Sequence, residues 1–526
     1  MTTRQQQRLG GRGGGLVLGA GLSLLVSATA AAAGGPAELA PTAQLVTVTA
    51  RRLLDIETGR YLDHPVLRIA GGKVVSVGLR MASDVVTYDL GEVTLLPGLI
   101  DCHTHLVGGE GLSADQALRE TTARAAIEGV ANAAATLRAG FTTVRDVGSR
   151  DFADVALRDA IASGRVLGPR MLVAVSSLSV TGGHGDWNDL PADVTVRRYQ
   201  AIADGPAEVT RAVRQNLKFG ADWIKILVTG GVTSMGTDPQ QADYTEEEIR
   251  AAVVAARARG KDVAAHAHGT TGILRAVRAG VRSVEHASYL TDEAIAEVKR
   301  AGAFIVPNPY TNYYIVQLGR AGGFADYEIQ KSEQVYARKM DSLHRAVLAG
   351  VQVAYGTDAG VQPHGINARQ LSLYVQAGMT PLQALQSATL VAARLLRQEA
   401  RLGKLQPGYL ADIVAVSGDP AADVQTLEQP VAVLKEGALV FWQPRGQGSS
   451  ATVPLPAAAA VRAAAPATPA ARAGTEGGGV KAVAPGVGSK PANAGAVRPV
   501  VPGSPAKKSQ APRAGSQREG GVDVWR

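Results

Sequence analysis

Residues 278–286 are RAGVRSVEH, a helical stretch that ends in glycine and continues into a β-branched apolar run. A glycine directly past a helix end supplies the left-handed residue that closes the helix, and such an apolar run is typical of a strand buried on both faces. The pattern occurs six times between Gly140 and Gly350: LRAGFTTV, KFGADWIKI, ARGKDVAAH, RAGVRSVEH, RAGAFIVP and LAGVQVAYGTD. This alternation of helix and strand predicts a parallel α/β fold.

Open doubly wound sheets share this alternation with barrels, but no GxGxxG turn follows the first strand, which favours a barrel. We therefore predict a (β/α)8 TIM-like barrel over residues 98–400. Short β-patterned runs lie on either side, within 34–97 and 401–445, and each flank is too small to fold well alone. The flanks are predicted to meet in one small β-sandwich side domain.

The two ends of the chain have a different composition. Residues 1–33 contain three arginines, an apolar stretch from Leu16 and a small-residue run, which predicts a cleaved secretory signal peptide rather than a membrane span of about 20 residues. The protein is therefore expected to be exported, to the periplasm or the medium. Residues 446–526 are rich in Ala, Pro and Gly and are predicted to be a disordered basic tail, either solvated or tethered to an anionic envelope.

Composition excludes several classes of protein. Of 526 residues, 46% are hydrophobic and 19% charged, which excludes a wholly disordered chain. The net charge is +8, but residues 446–526 carry ten Lys and Arg against three Asp and Glu, and residues 1–33 carry three Arg and no acidic residue. The net charge of residues 34–445 is therefore −2, and no nucleic-acid partner is expected. The single cysteine, Cys102, excludes an intramolecular disulfide framework and Cys-rich metal sites.

Metal-type side chains cluster at predicted strand ends. In LLPGLIDCHTHL (95–106), His103 and His105 stand two residues apart, so both can face one metal ion while Cys102 turns away. An HxH pattern on its own is more often a pair of structural histidines than a pair of metal ligands. Three more strand ends carry His266, His286 and Asp358. In enzymes with a (β/α)8 barrel, the active site lies at the carboxyl ends of the strands.

Lys225 lies inside the otherwise apolar strand ADWIKILVTGG (221–231). Burial penalises an ammonium, lowers its pKa and frees the amine for chemistry, although a side chain that reaches the rim of the barrel is the alternative.

Together, PGLIDCHTH, Lys225, VAAHAHG, SVEHASYL and YGTDAG resemble the metal-dependent amidohydrolase superfamily, over residues 45–440. Within it, TGGHGDW (181–187) and ADYTEEEIRAAV (242–253) are similar to the bacterial Xaa-Pro and Xaa-Arg/Lys dipeptidases, a group related to imidazolonepropionases. Some relatives of this kind hydrolyse the amide of ochratoxin A.

The resemblance implies two divalent ions, with zinc expected, that share a hydroxide. It assigns these ligands: His103 and His105 for one ion, His266 and His286 for the other, a carboxylated Lys225 as the bridge, and Asp358 as both ligand and proton shuttle. His268 is assigned a substrate-facing, catalytic role, although it could replace His266 as a ligand. His184 and Tyr244 are the candidates for binding the substrate carboxylate or carbonyl oxygen, with a packing role as the alternative.

The predicted function is hydrolysis of a linear amide, in a dipeptide or an N-acyl amino acid. Ring-acting relatives resemble one another in a glutamate three residues after the histidine of the fifth strand, whereas Gly269 stands there in this chain. The alternatives are an amidase acting on ochratoxin A, a lactonase or cyclic amidase, and a non-catalytic envelope scaffold. Similar proteins imply a homo-oligomer, and no transmembrane span is expected.

Overall fold

The computed structural model describes residues 45–443, except 109–117, 195 and 197–200. The predicted signal peptide and basic tail lie outside the described residues. The helices are α1 (Thr122–Arg138), α2 (Ala153–Ala162), α3 (Gly205–Lys218), α4 (Glu246–Arg257), α5 (Thr270–Ala279), α6 (Asp292–Ala301), α7 (Pro309–Leu318), α8 (Asp326–Leu348), α9 (Gln370–Gln376), α10 (Pro381–Gln386) and α11 (Ala392–Leu395). Among the helices of this part of the chain, we find no candidate membrane span.

The strands form four sheets. In chain order they are β1 (Val46–Thr49), β2 (Arg52–Leu54), β3 (Tyr61–Asp63), β4 (Val66–Ala70), β5 (Lys73–Gly78), β6 (Tyr88–Asp89), β7 (Thr94–Pro97), β8 (Leu99–Thr104), β9 (Phe141–Asp146), β10 (Arg170–Val173), β11 (Leu178–Ser179), β12 (Ala201–Ile202), β13 (Ile224–Leu227), β14 (Val263–Ala267), β15 (Ser283–His286), β16 (Phe304–Val306), β17 (Gln352–Val353), β18 (Ile413–Val416), β19 (Ala432–Lys435) and β20 (Ala438–Trp442).

Two of the sheets are wholly parallel. One has the order β10-β9-β8 and the other β12-β11-β13-β14-β15-β16-β17. Helices connect most of the successive strands in these two sheets, so the predicted parallel α/β class is confirmed. Gly280 and Gly302 close α5 and α6 in the left-handed region, at φ +94° and +63°, which a residue with a Cβ rarely adopts.

Backbone hydrogen bonds join the two parallel sheets on both sides. On one side, Cys102 of β8 donates its N–H to the carbonyl of Tyr355, just after β17, at 2.9 Å. On the other, Trp223 donates to the carbonyl of Val173, the last residue of β10, at 3.1 Å. The strand ends of both sheets are therefore held beside one another.

The other two sheets come from the flanks of the chain. A six-stranded sheet has the order β20-β19-β18-β7-β2-β3, and a four-stranded sheet has the order β5-β4-β1-β6. In the first, β18 runs antiparallel to β7, so that strands from both flanks share one sheet. Apolar side chains of both flanks also share one core, in which Leu67 and Leu95 pack with Ile413 and Leu434.

Candidate active site

One cavity collects most of the side chains that the sequence singles out. It is lined by His103, His105, His184, Lys225, His266, His268, His286 and Asp358, with Lys339 and several apolar or hydroxyl residues completing the wall. The strand-borne members come from the parallel strands β8, β13, β14 and β15, with the histidines at or next to the carboxyl ends. The sequence prediction that these side chains converge therefore agrees with the geometry.

His103, His105 and Asp358 form the first group. The Nε2 atoms of both imidazoles lie 3.3 Å from the same carboxylate oxygen, Asp358 Oδ1. The Nδ1 of His103 is 2.8 Å from Glu285 Oε2, and the Nδ1 of His105 is 2.9 Å from the carbonyl oxygen of Gly148. Both partners of Nδ1 are acceptors, so Nδ1 carries a proton and Nε2 is left to face the cavity as a ligand.

This corner of the cavity favours a positive charge. Burial alone would raise the pKa of Asp358, but His103 and His105 beside it hold the pKa well below its usual range. Burial alone would lower the pKa of His105, but Asp358 raises it. Two imidazole nitrogens and a carboxylate oxygen at this spacing suit a divalent cation.

Arg145 and Glu285 support His103 from behind. Both side chains are fully buried, and Arg145 Nη2 lies 2.8 Å from Glu285 Oε1. Burial would raise the pKa of Glu285, but Arg145 and then His103 outweigh it and hold the pKa at about 2. Glu285 is therefore an anion that orients the His103 ring. The sequence reasoning missed this pair, although charged residues inside the buried strands FTTVRD and SVEH were a signal.

Lys225 is buried beside the first group. Its side chain extends from β13, is 2% exposed, and places Nζ 3.5 Å from His103 Nε2. Burial lowers the pKa of this amine to about 8. The alternative of a lysine that reaches solvent at the rim is therefore wrong.

His266, His268 and His286 form a second group, in which one nitrogen of each ring lies within 4.8 Å of the others. His286 Nδ1 lies 2.8 Å from Asn308 Oδ1, and His268 Nδ1 lies 2.7 Å from Ser288 Oγ. Burial holds the pKa of all three rings well below 6.5, so they are neutral and suited to bind a metal. Both His266 and His268 are near enough to serve as ligands.

His286, a member of the second group, links it to the first. One nitrogen of His286 also lies within 4.8 Å of ligand atoms of His103 and Asp358. His286 and Asp358 have left-handed backbones, with φ of +70° and +63°. Such conformations are uncommon in residues other than glycine and often mark functional positions.

Of the two residues predicted to bind substrate, one lies in the cavity and the other does not. His184 lines the cavity, with its ring centroid 4.5 Å from that of His266 and its Nδ1 2.8 Å from Ser234 Oγ. Tyr244 does not line the cavity. Its side chain is buried in the apolar core below α4, and its hydroxyl donates to the carbonyl of Ala203 at 3.0 Å. Tyr244 is therefore a packing residue, which corrects the prediction.

Cys102 also has a packing role. The thiol is fully buried in an apolar cluster, with Ile100 and Ala354 as neighbours, and burial raises its pKa well above the usual range. As predicted, it is turned away from the histidines on either side of it.

A parallel α/β scaffold with imidazoles, a carboxylate and a buried amine at its strand ends is the arrangement of a hydrolytic enzyme. The sequence model of the amidohydrolase family matches residues 94–440, and the chain belongs to that family. It is a hydrolase that acts on amide bonds.

Named relatives agree with this assignment. The chain is 32% identical to an ochratoxinase of Aspergillus niger over 358 residues, which are 64% of this chain and 73% of the relative. It is 28% identical to an imidazolonepropionase of Chromobacterium violaceum over 385 residues, 67% of this chain and 85% of the relative. A crystal structure of a Xaa-Pro dipeptidase with methionine bound in its active site superposes with a TM-score of 0.70 at 36% identity, covering 75% of this chain and 99% of that one.

Proposed function

We propose that this protein is an exported, binuclear metal-dependent amidohydrolase that cleaves the linear amide of a dipeptide or an N-acyl amino acid. The observation that carries the proposal is the 3.5 Å distance between Lys225 Nζ and His103 Nε2, inside a cavity where Asp358 Oδ1 lies 3.3 Å from two imidazoles. A carboxylated amine at that place would supply an anionic bridge between two cations.

The ligands divide between two divalent ions, with zinc expected from the imidazole and carboxylate donors. His103, His105 and Asp358 would hold one ion, and His266 and His286 the other. Lys225 would bridge them after its amine adds carbon dioxide, which forms a nitrogen–carbon bond and releases one proton. Burial favours the reaction because it lowers the pKa of Lys225 to about 8 and keeps part of the amine unprotonated.

When bound, divalent ions supply a water of lowered pKa and polarise the carbonyl oxygen of the amide. Asp358 would accept a proton at a carboxylate oxygen from the attacking water and donate it to the leaving nitrogen of the amide. Glu285 keeps the His103 ring in one orientation throughout. His268 and His184 line the same cavity and would contact the substrate.

A second candidate is an amidase that acts on ochratoxin A, an N-acyl amino acid. The 32% identity to an ochratoxinase supports this candidate, and the crystal structure of a Xaa-Pro dipeptidase supports the dipeptide. Both substrates contain a linear amide and a free carboxylate, so the chemistry proposed for the cavity serves either one.

The wider organisation is also part of the proposal. The hydrogen bonds from Cys102 to Tyr355 and from Trp223 to Val173 support closure of the parallel strands into a (β/α)8 barrel over residues 98–400. The shared six-stranded sheet supports one side domain made from 34–97 and 401–445. Secretion through a signal peptide at 1–33 and homo-oligomer formation remain proposals from the sequence.

The experiment combines metal analysis with activity. We expect about two zinc ions per purified chain, hydrolysis of dipeptides or N-acyl amino acids in a substrate panel, and loss of activity on chelation. Lys225→Ala is expected to lower the metal content and to reduce kcat/KM at least about 1,000-fold, because the ions stabilise the transition state by several kcal/mol.

Lys435→Ala is the matched control for this variant. Lys435 is a partly buried lysine on β19 whose Nζ donates to the carbonyl of Gly168, outside the cavity. We expect this variant to keep its metal and its activity. Full turnover by a preparation shown to be free of metal would contradict the proposed function.

A further inference from the structure

Lys339 is a buried amine that the proposed reaction does not use. It lies on α8, 1% exposed, and lines the same cavity as the histidines. Its Nζ lies 2.6 Å from Asn312 Oδ1 and 3.4 Å from the carbonyl oxygen of Asn308, and both of these groups are neutral acceptors. Among the described residues, Lys339 has no ion pair with a carboxylate within 4.0 Å. Because an ammonium buried without an anion is costly, burial lowers the pKa of Lys339 to about 7, and an anion from outside the chain would restore its charge.

Among the described residues, the carboxylate that affects Lys339 is already engaged. Asp358 raises the pKa of Lys339 and so opposes the effect of burial, but its Oδ1 lies 3.3 Å from both His103 and His105. It therefore serves the first ligand group rather than Lys339. The ammonium group has three hydrogen-bond donors and uses two of them on Asn312 and Asn308, which leaves one donor for a ligand in the cavity.

His268 offers a second donor near Lys339. Its Nδ1 is engaged with Ser288 Oγ at 2.7 Å, while its buried Nε2 has no hydrogen-bond partner in the described part of the chain. His268 and Lys339 line the same cavity, so one ligand could contact both side chains. When the Ser288 hydroxyl donates to Nδ1, Nε2 carries the proton and can donate.

We propose that Lys339 binds the free α-carboxylate of the substrate and thereby restricts the enzyme to amides whose leaving group is an amino acid. The inference rests on the proposed function, because in a dipeptide or an N-acyl amino acid the one obligatory carboxylate belongs to the amino acid that is released as the amine. Charge-assisted hydrogen bonds from an ammonium to a carboxylate are short and strong, and the anion removes the cost of the buried charge. Lys339 is thus a specificity-determining residue.

A solely structural role is the competing explanation. Lys339 bonds to Asn308 and Asn312, and Asn308 in turn contacts His286, so a lost lysine could disturb the ligands indirectly. That role would act on every substrate alike. Carboxylate binding would act on substrates that carry the carboxylate and would leave those that lack it unchanged.

The experiment compares matched pairs of substrates, each the best dipeptide from the panel with either a free carboxylate or a carboxamide at its C terminus. For the wild-type chain we expect kcat/KM to be on the order of 10- to 100-fold higher for the carboxylate, the range given by one charge-assisted hydrogen bond. Lys339→Met is expected to lose that preference, mainly through a higher KM for the carboxylate substrate. Lys339→Arg is expected to keep most of it.

Arg338→Met is the matched control, since it removes a neighbouring positive charge that α8 exposes to solvent. We expect this variant to keep the wild-type preference. Metal content and thermal unfolding are measured for every variant, so that loss of metal is distinguished from loss of carboxylate binding.

Three outcomes would count against the proposal. Equal kcat/KM of the wild type on both substrates would overturn it without any variant. An equal loss on both substrates in Lys339→Met, with the metal retained, would show a structural role instead. If the wild type hydrolyses neither substrate, the proposed function itself fails, and this inference fails with it.

Discussion

At the scale of single residues, Tyr244 shows how a side chain near the site in sequence can be absent from it in space. It directly precedes Thr245, the N-cap of α4, in a segment that resembles the dipeptidases. The side chain turns into the apolar core, where its hydroxyl donates to the carbonyl of Ala203. A sequence motif places the backbone of such a residue but leaves the direction of its side chain open.

Tyr244→Phe should therefore change stability and leave catalysis intact. Without the hydroxyl, the buried carbonyl of Ala203 loses a donor, which costs about 1–3 kcal/mol of the free energy of unfolding. We expect kcat/KM to stay within about 2-fold of wild type, as for a change that spares the site. Urea denaturation and steady-state kinetics measure the two effects. His184→Ala is the comparison variant, for which we expect a raised KM. A large rise in KM for Tyr244→Phe would mean that the tyrosine contacts the substrate.

The residues that the sequence could identify share one property. His103, His105, His266 and His286 stand at or next to the ends of apolar strands, where period-two alternation and the parallel topology bring them together. Lys339 was not identifiable, because it lies in the middle of a 23-residue helix and reaches the cavity from the side. The periodicity of a helix in the sequence does not show which strand ends a helix residue will lie near. The position of Lys339 in the cavity therefore follows only from the packing of the folded chain.

At the scale of elements, the helix–strand junctions were predictable, and the tertiary contacts between elements were not. The capping box at Thr245 and Glu248 is present as the sequence indicated, with Thr245 Oγ1 accepting from the N–H of Glu248. The start of α2 is stabilised by a different set of hydrogen bonds. Asp154, in its first turn, accepts from the N–H of Val155 and also from the N–H of Val175, beyond β10. Nothing in the local sequence indicates the second bond.

Asp154 gives α2 a pH dependence that can be measured. Burial raises the pKa of this carboxyl to about 6, so the folded chain holds a proton that the unfolded chain releases above about pH 4. Between these values the free energy of unfolding falls as the pH rises, by up to about 1.4 kcal/mol per pH unit from this group. Asp154→Asn removes this titration and also the charge that raises the pKa of the nearby Asp146, so its stability relative to wild type should increase from pH 4 to pH 6 in urea denaturation.

Asp159→Asn is the control on the same helix, because its carboxyl is largely exposed. We expect its stability relative to wild type to stay constant over the same range. A constant difference between Asp154→Asn and wild type would mean that Asp154 is ionised in the folded chain throughout.

At the scale of the whole molecule, the cavity depends on contacts between distant parts of the chain. The metal-type side chains that line it extend from His103 to Asp358, and the N–H of Asp358 donates to the carbonyl of His103 at 2.7 Å. The sequence predicted the parallel α/β class from its glycine-terminated helices, but it could not indicate which strands would hydrogen-bond across the two sheets. The flanks are linked in the same way, since β7, which directly precedes β8 and its metal-type ligands, pairs with β18 from the far end.

This pairing predicts different effects for two truncations. A chain that ends at residue 400 loses β18, β19 and β20, which leaves one edge of β7 unpaired and uncovers Leu95 and Leu67. It also loses the buried side chains of Ile413, Val414 and Leu434, at about 1.5–3 kcal/mol each, against a typical total stability of 5–15 kcal/mol. We expect this chain to show no cooperative unfolding and to bind no metal.

A chain that ends at residue 445 keeps the whole sheet and is expected to match the full chain in unfolding temperature, metal content and kcat/KM. If the chain ending at 400 instead unfolds cooperatively with its metal bound, the flanks do not stabilise the strand that leads into the site.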